Sequence, residues 1–146
     1  MDSSDRAREA GTLSLASTFL ASFPAVSKPR QEDRLASVDR VREDGALTLL
    51  MAEEGDDSLL IRAVGELDLA SAKSLEGTLR QAINTKASSV VLDLDRVSFI
   101  DSTGLRTLLR ASKLSTMTGS RLRFHRPSSA VKRAIEVAHV EDLLPL

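Results

Sequence analysis

The sequence predicts an α/β domain, a mixed four- to five-stranded sheet with helices packed on it in the order ββαβαβα(β). Three observations carry this. Two apolar runs, 47–51 and 58–64, flank a polar turn that contains Gly55 and is too short for a crossover helix, so they form an antiparallel hairpin. Two later strand-like runs, 90–94 and 121–125, alternate with segments of helical period. Strand–helix–strand units close with right-handed crossovers and mostly parallel pairing, which makes the sheet mixed.

Residues 1–45 read as an N-terminal extension. Pro24 and Pro29 interrupt it, polar residues are frequent, and its few apolar side chains lead to the expectation of a largely disordered segment. Within it, Leu13, Ala16, Leu20 and Phe23 would share one side of a helix, and Leu35, Val38 and Val41 fit a short helix over Gln31 to Glu43. The apolar stretch 13–23 also resembles a signal-peptide core, but Asp2, Asp5 and Glu9 spoil the positive leader that a signal needs.

Residues 46–146 form the domain. Leu47–Met51 and Ser58–Val64 are the hairpin strands. Ala70–Asn84 is helical, with Leu75, Leu79, Ala82 and Ile83 on one face and Asp68 or Ser71 as its cap. Val90–Leu94 is Val-rich and reads as a central strand. Thr103 to about Thr118 is a second helix with Leu105, Leu108, Leu109 and Ser112 inward, ended by Gly119. Arg121–His125 alternates, burying Leu122 and Phe124, and stops before Pro127. Ser129 is the expected cap of a third helix through Val131, Ala134, Ile135 and Ala138. Leu143–Leu146 could add a last strand, which Pro145 confines to a sheet edge.

The composition narrows the function. Of 146 residues, 42% are hydrophobic and 28% charged, enough apolar material for one core. The net charge of −1 lacks the basic excess of a nucleic-acid domain. With no cysteine there is no disulfide, Cys-ligated zinc or Cys nucleophile. The two histidines, His125 and His139, fall in different elements and suggest no metal site. No apolar run approaches the ~20 residues that span a bilayer. The expectation is a cytoplasmic protein without cofactor or metal.

The informative segment is Asp93 to Leu105, where a strand runs out and a helix begins with small hydroxyl residues and Gly104. Ser102 falls at or beside the helix N-terminus, where free N–H groups favour an anion such as a phosphate. A plainer reading makes Ser102 the N-cap and Asp101 a turn residue.

The run Phe99-Ile100-Asp101-Ser102-Thr103-Gly104-Leu105 resembles the signature of STAS domains of the anti-sigma factor antagonist type. Gly65-Glu66-Leu67-Asp68, Val91-Leu92-Asp93-Leu94 and Ser129-Ala130-Val131-Lys132-Arg133 also match that family, in order, and the resemblance covers 46–146. It implies a binding switch rather than an enzyme. In the family, the Ser after the Asp is phosphorylated by a GHKL-type serine kinase that is also the anti-sigma factor. The unphosphorylated antagonist binds that kinase and frees the sigma factor, and a metal-dependent, PP2C-like phosphatase reverses the modification. That role carries over to Ser102, with Asp68, Asp101, Thr103 and Gly104 around it. The resemblance allows one other job, a STAS scaffold module of a stress-signalling or lipid-transport complex. Two departures stand out: no further helix closes the fold before Leu146, and the N-terminal extension is long.

Arg106, Arg110 and Lys113 share a stripe of the second helix with Ser102. They read either as a solvated face or as a docking surface for an acidic partner. Two enzyme-like readings fail on the residues. A serine-hydrolase elbow needs Gly where Ile100 stands. A receiver domain phosphorylated on Asp93 or Asp95 would begin with a strand and a helix, and a hairpin comes first here.

Overall fold

The computed structural model describes residues 19–24, 40–55, 57–85 and 87–146. Five strands form one sheet: β1 (Arg40–Asp44), β2 (Leu47–Glu54), β3 (Ser58–Leu67), β4 (Ser89–Ile100) and β5 (Arg121–His125), in that spatial order. β1, β2 and β3 form an antiparallel meander, and β3, β4 and β5 run parallel. The connections between the parallel strands are helices α1 (Leu69–Asn84) and α2 (Ser102–Thr118), and α3 (Ser129–Ala138) follows β5. The predicted mixed α/β sheet is therefore the observed one.

Alternation along the strands sorts the two faces. Leu59, Ile61, Val90, Leu92, Leu94, Leu122 and Phe124 point to one face and are buried there. Leu75, Leu79 and Ile83 of α1, Leu105 and Leu108 of α2, and Val131 and Ile135 of α3 join them in a single cluster. Burying a Leu- or Ile-sized side chain contributes about 1.5–3 kcal/mol, so this layer dominates stability.

β4 is far longer than the run Val90–Leu94 implies, because two bulges carry it onward to Ile100. Arg62 pairs with Asp93 while Val64 pairs with Arg96, and Gly65 pairs with Val97 while Glu66 pairs with Phe99. Each shift inserts an extra residue in β4 and re-aims the side chains that follow. Gly65 is obligatory at the second bulge. Its φ is +117°, and a Cβ there would lie 2.0 Å from the Ala46 carbonyl oxygen.

Parts of the N-terminal extension belong to the fold. Arg40–Asp44, at the end of the expected 31–43 helix, is strand β1; the rest of that helix lies outside the described residues. Phe19, Leu20 and Phe23 are buried in the core cluster, against the expectation of a disordered segment. The rings of Phe19 and Phe23 meet edge to face at 4.9 Å, and the Arg42 guanidinium lies 5.6 Å from the Phe23 ring centre. The Val41 N–H donates to the Pro24 carbonyl, tying the segment to β1. A short pattern of three apolar residues among Pro and Ser was too sparse to reveal a segment whose partner surface comes from elsewhere in the fold. Leu13 and Ala16 lie outside the described residues.

The C-terminal end also departs from expectation. The last strand expected at Leu143–Leu146 does not form; Glu141–Leu143 is a turn of 3₁₀ helix, and the residues after it are irregular. Pro145 contributes a single backbone bond to the sheet edge, its carbonyl accepting from the Phe124 N–H; having no N–H, it cannot continue a ladder. Ser128, not Ser129, caps α3, and Ala138 is exposed. Ser112 faces the tail, donating to the Leu143 carbonyl at 3.3 Å, and Ala111 and Ser115 take the inward positions.

Candidate functional site

β3 and β4 end side by side, and each leads straight into a helix. Leu67 pairs with Ile100, and the Asp101 N–H donates to the Leu67 carbonyl at 3.1 Å. The next residue on each chain, Asp68 and Asp101, is the N-cap of the helix that follows. Two helix N-termini thus sit together at one end of the parallel strands.

Both caps are complete. Asp68 Oδ1 accepts from the Ser71 N–H at 3.0 Å, and Ser71 Oγ accepts in return from the Asp68 N–H at 3.1 Å, a reciprocal capping box. Both residues proposed for the α1 cap therefore share it. Asp101 Oδ1 accepts from the Gly104 N–H at 2.9 Å. The plainer reading, with Ser102 as the N-cap and Asp101 a turn residue, is therefore corrected: Asp101 is the cap, because its carboxylate reaches the Gly104 N–H. Ser102 is the first helical residue, exposed, and its hydroxyl makes no hydrogen bond among the described residues. Thr103 is half-buried, and its carbonyl accepts from the Thr107 hydroxyl.

Gly104 is needed for packing. A Cβ on it would lie 2.6 Å from the Leu67 carbonyl oxygen and 2.9 Å from Ile100 Cγ1. The first turn of α2 therefore presses directly on the ends of β3 and β4, and this contact fixes where Ser102 stands.

Two large apolar side chains that are close to these caps in the chain are exposed. Leu69, directly after the Asp68 cap, is 74% exposed, and Phe99, two residues before Asp101, is 48% exposed. Sequence reasoning missed both. Phe99 carried a faint signal, since the parity of Val90, Leu92 and Leu94 points it outward, but the strand pattern reads only to Leu94. Leu69 carried none, because helical spacing from Ala72 places it inward; it is exposed at the first position of α1.

Arg106, Arg110 and Lys113 are all exposed along α2. Arg110 reaches across to Glu76 of α1 at 3.7 Å, so that cation is partly engaged within the domain. No hydrogen bond or ion pair joins Arg106 to Ser102 or Asp101 among the described residues.

A second cluster lies on the other sheet face. Asp93, buried, accepts on Oδ2 from Arg62 Nε at 3.1 Å and Arg126 Nη2 at 2.6 Å, and on Oδ1 from the Asp95 N–H at 3.0 Å. Burial works to raise its pKa, but the Arg126 hydrogen bond, the Asp95 N–H and the charges of Arg62 and Arg126 together outweigh it. They hold the carboxyl below the ordinary carboxylate range. The same contact with Asp93 pushes the Arg126 guanidinium up.

The described residues include no group of His, Asp and Glu placed to hold a metal, and no helix long and apolar enough to cross a membrane. His125 lies on β5 and His139 caps the end of α3.

A family model for the STAS domain matches residues 50–146. The chain belongs to the STAS family. Solved structures with this fold include the anti-sigma factor antagonist SpoIIAA in its unphosphorylated form (20% identity, TM-score 0.56, covering 66% of this chain and 84% of that one). The Bacillus cell fate determinant SpoIIAA in the phosphorylated form matches similarly (20% identity, TM-score 0.54, 66% of this chain and 87% of that one). An anti-sigma factor antagonist from Mycobacterium paratuberculosis is 24% identical, with TM-score 0.58 over 68% of this chain and 84% of that one. The same fold recurs in SLC26A9, at 17% identity and TM-score 0.52, covering 62% of this chain but only 17% of that longer one. At these identities the likeness establishes the STAS fold.

Proposed function

We propose that the protein is a cytoplasmic anti-sigma factor antagonist, a binding switch rather than an enzyme, turned off by phosphorylation of Ser102. The observation that carries this reading is the division of labour at the start of α2. Asp101 supplies the cap, so the exposed Ser102 hydroxyl has no structural duty and is open to a kinase.

The chemistry of the switch follows from the surroundings. The unmodified site offers a partner a hydroxyl bordered by exposed Leu69 and Phe99, apolar surface of the kind that marks an interface. A phosphate on Ser102 adds about −1.5 to −2 charge at pH 7. It stands next to Asp101, with Asp68 on the neighbouring strand end, and would have to be desolvated among like charges inside the complex. Outside the complex it remains hydrated, and the α2 N-terminus favours it. The modification therefore acts on binding and spares the fold. The partners in this reading are a GHKL-type anti-sigma serine kinase, which Arg106 and Lys113 help to dock, and a PP2C-like phosphatase that restores Ser102.

The test is incubation with candidate GHKL-type kinases and ATP, followed by mapping of the phosphate by mass spectrometry. Phosphate on Ser102, together with loss of kinase binding, is expected. Phosphate on Thr103 with Ser102 bare would refute the site. Binding partners but no phosphate from any such kinase would favour the scaffold reading instead.

A further inference from the structure

Between Ser102 and Ile135 the chain carries eight Lys and Arg residues and no Asp or Glu, although the whole chain has a net charge of −1. All eight side chains are exposed. Arg110 and Arg126 reach a carboxylate, on Glu76 and Asp93, and the other six form no ion pair among the described residues. The unpaired cations among them, on α2, β5 and α3, do nothing for folding, so a partner is the more economical explanation.

Part of this basic surface has a built geometry on the sheet face opposite the core. The register aligns its side chains in rows across the strands. Ser89 of β4 stands beside Arg121 of β5, then Val91 beside Arg123, then Asp93 beside His125. Leu60 and Arg62 of β3 continue the second and third rows. The half-buried Leu60 and Val91 form an apolar floor with His125 beside them, and the exposed Arg121 and Arg123 precede His125 on the same face of β5. The Arg62–Asp93–Arg126 cluster closes one end of an open cleft of about 410 Å³, with Glu54 at its far lip.

Arg126 is held at this cleft in a costly way. It is one of two non-glycine residues with positive φ among the described residues, at +50°, a conformation that disfavours a residue with a Cβ. Its 2.6 Å contact with the buried Asp93 fixes the guanidinium at the mouth, where the side chain stays 49% exposed. One of its nitrogens is committed to Asp93, and the rest of the guanidinium remains available as donors. Strained backbone that aims a cation outward is a feature of binding sites.

We propose that this face docks an acidic, extended segment of a partner protein, separately from the surface around Ser102. Arg121 and Arg123, two residues apart on one strand, stand about 6.6 Å apart, the spacing of carboxylates at alternate positions of an extended chain. An apolar side chain between them rests on Leu60 and Val91, and Arg126 takes a further carboxylate. Nucleic acid fits the face poorly. The chain has no Trp or Tyr, its exposed Phe99 lies at the Ser102 end, and the face itself includes Glu54 and Asp93.

The test uses the full chain and a short fluorescein-labelled peptide alternating Glu with Leu and Thr, followed by fluorescence anisotropy. Binding that weakens as NaCl rises is expected. Arg121→Glu combined with Arg123→Glu should weaken it at least tenfold, and Ser102→Ala should leave it unchanged. Both arginines are exposed and unpaired, so the double variant should melt like the parent; Arg123→Gln, a milder change, should still weaken binding several-fold. The proposal is overturned if the charge-reversed protein binds as tightly as the parent, or if a peptide with Lys in place of Glu binds equally. It is also overturned if a single-stranded oligonucleotide of matching charge binds more tightly than the peptide.

Discussion

Replacing Phe19 with Ala should destabilise the whole domain, although the residue lies far along the chain from Ser102. Its ring is 1% exposed within the core cluster and packs edge to face on Phe23 at 4.9 Å. Truncating a buried Phe costs about 3–5 kcal/mol, of which the aromatic pair supplies about 0.5–1.5. A limit applies here, because the segment 19–24 can let go of the core instead of tolerating a cavity. The loss then cannot exceed the free energy that docks the segment, and a docked edge is where local unfolding begins. Phe19→Ala should therefore cost about 3 kcal/mol, and adding Phe23→Ala should cost little more. At about 2–4 °C per kcal/mol for a chain of this size, the melting temperature should fall by roughly 6–12 °C. Urea and thermal denaturation followed by circular dichroism measure both variants. Unchanged melting would mean that Phe19, Leu20 and Phe23 do not hold to the core in solution. Two large and fully additive losses would instead mean that the segment cannot detach, refuting the limit.

Two further predictions concern the charged residues. Asp101→Ala removes the α2 cap and should cost about 0.5–2 kcal/mol, whereas Ser102→Ala, which touches no hydrogen bond, should leave denaturation midpoints unchanged while abolishing phosphorylation. Asp93→Ala should cost about 3–5 kcal/mol by leaving the buried Arg62 guanidinium without its partner. Because the folded-state pKa of Asp93 is depressed, its contribution is present above the unfolded value near 4 and is lost as pH falls through the folded value. The parent should lose stability on acidification below about pH 4, and the Asp93→Ala protein should lose less over the same window in pH-dependent urea titrations.

How far the sequence could be read depends on the range of the forces that shaped each element. The hairpin, α1, α2 and β5 were legible because their apolar residues repeat at the period of the element and the partner face is supplied by neighbours in the chain. Gly119 was legible as a helix end, but the start of α2 was read one residue late, with Ser102 rather than Asp101 as the cap, since either hydroxyl or carboxylate can accept the same bond. β4 beyond Leu94 was not legible. Its two bulges break the alternation on which strand patterns rest, and only the pairing with β3 makes Asp95–Ile100 a strand. β1 and the Phe19–Phe23 segment were illegible for the same reason. β2 supplies the pairing of β1 across the short turn at Gly45, and the core supplies the packing of Phe19–Phe23 across long sequence separations. The Asp93 cluster shows the remaining limit. A charged residue in a Val-rich strand reads as a break in the apolar run, and nothing local reveals that Arg62 of β3 and Arg126, just past β5, arrive to satisfy it.

The division of labour between Asp101 and Ser102 also explains why these two residue types stand in this order. Were Ser102 the cap, its phosphorylation would replace the hydroxyl that holds the first turn of α2 with a larger, charged acceptor and would alter the fold and the interface together. With the carboxylate of Asp101 holding the Gly104 N–H, the hydroxyl one residue later is covalently adjacent yet mechanically idle. Gly104 then lets that first turn rest directly on the Leu67 carbonyl, so the hydroxyl is held on a rigid support even though it bonds to nothing. A modification placed there changes charge at a fixed position. The change registers in whatever packs against Leu69 and Phe99, and the core below is left as it was.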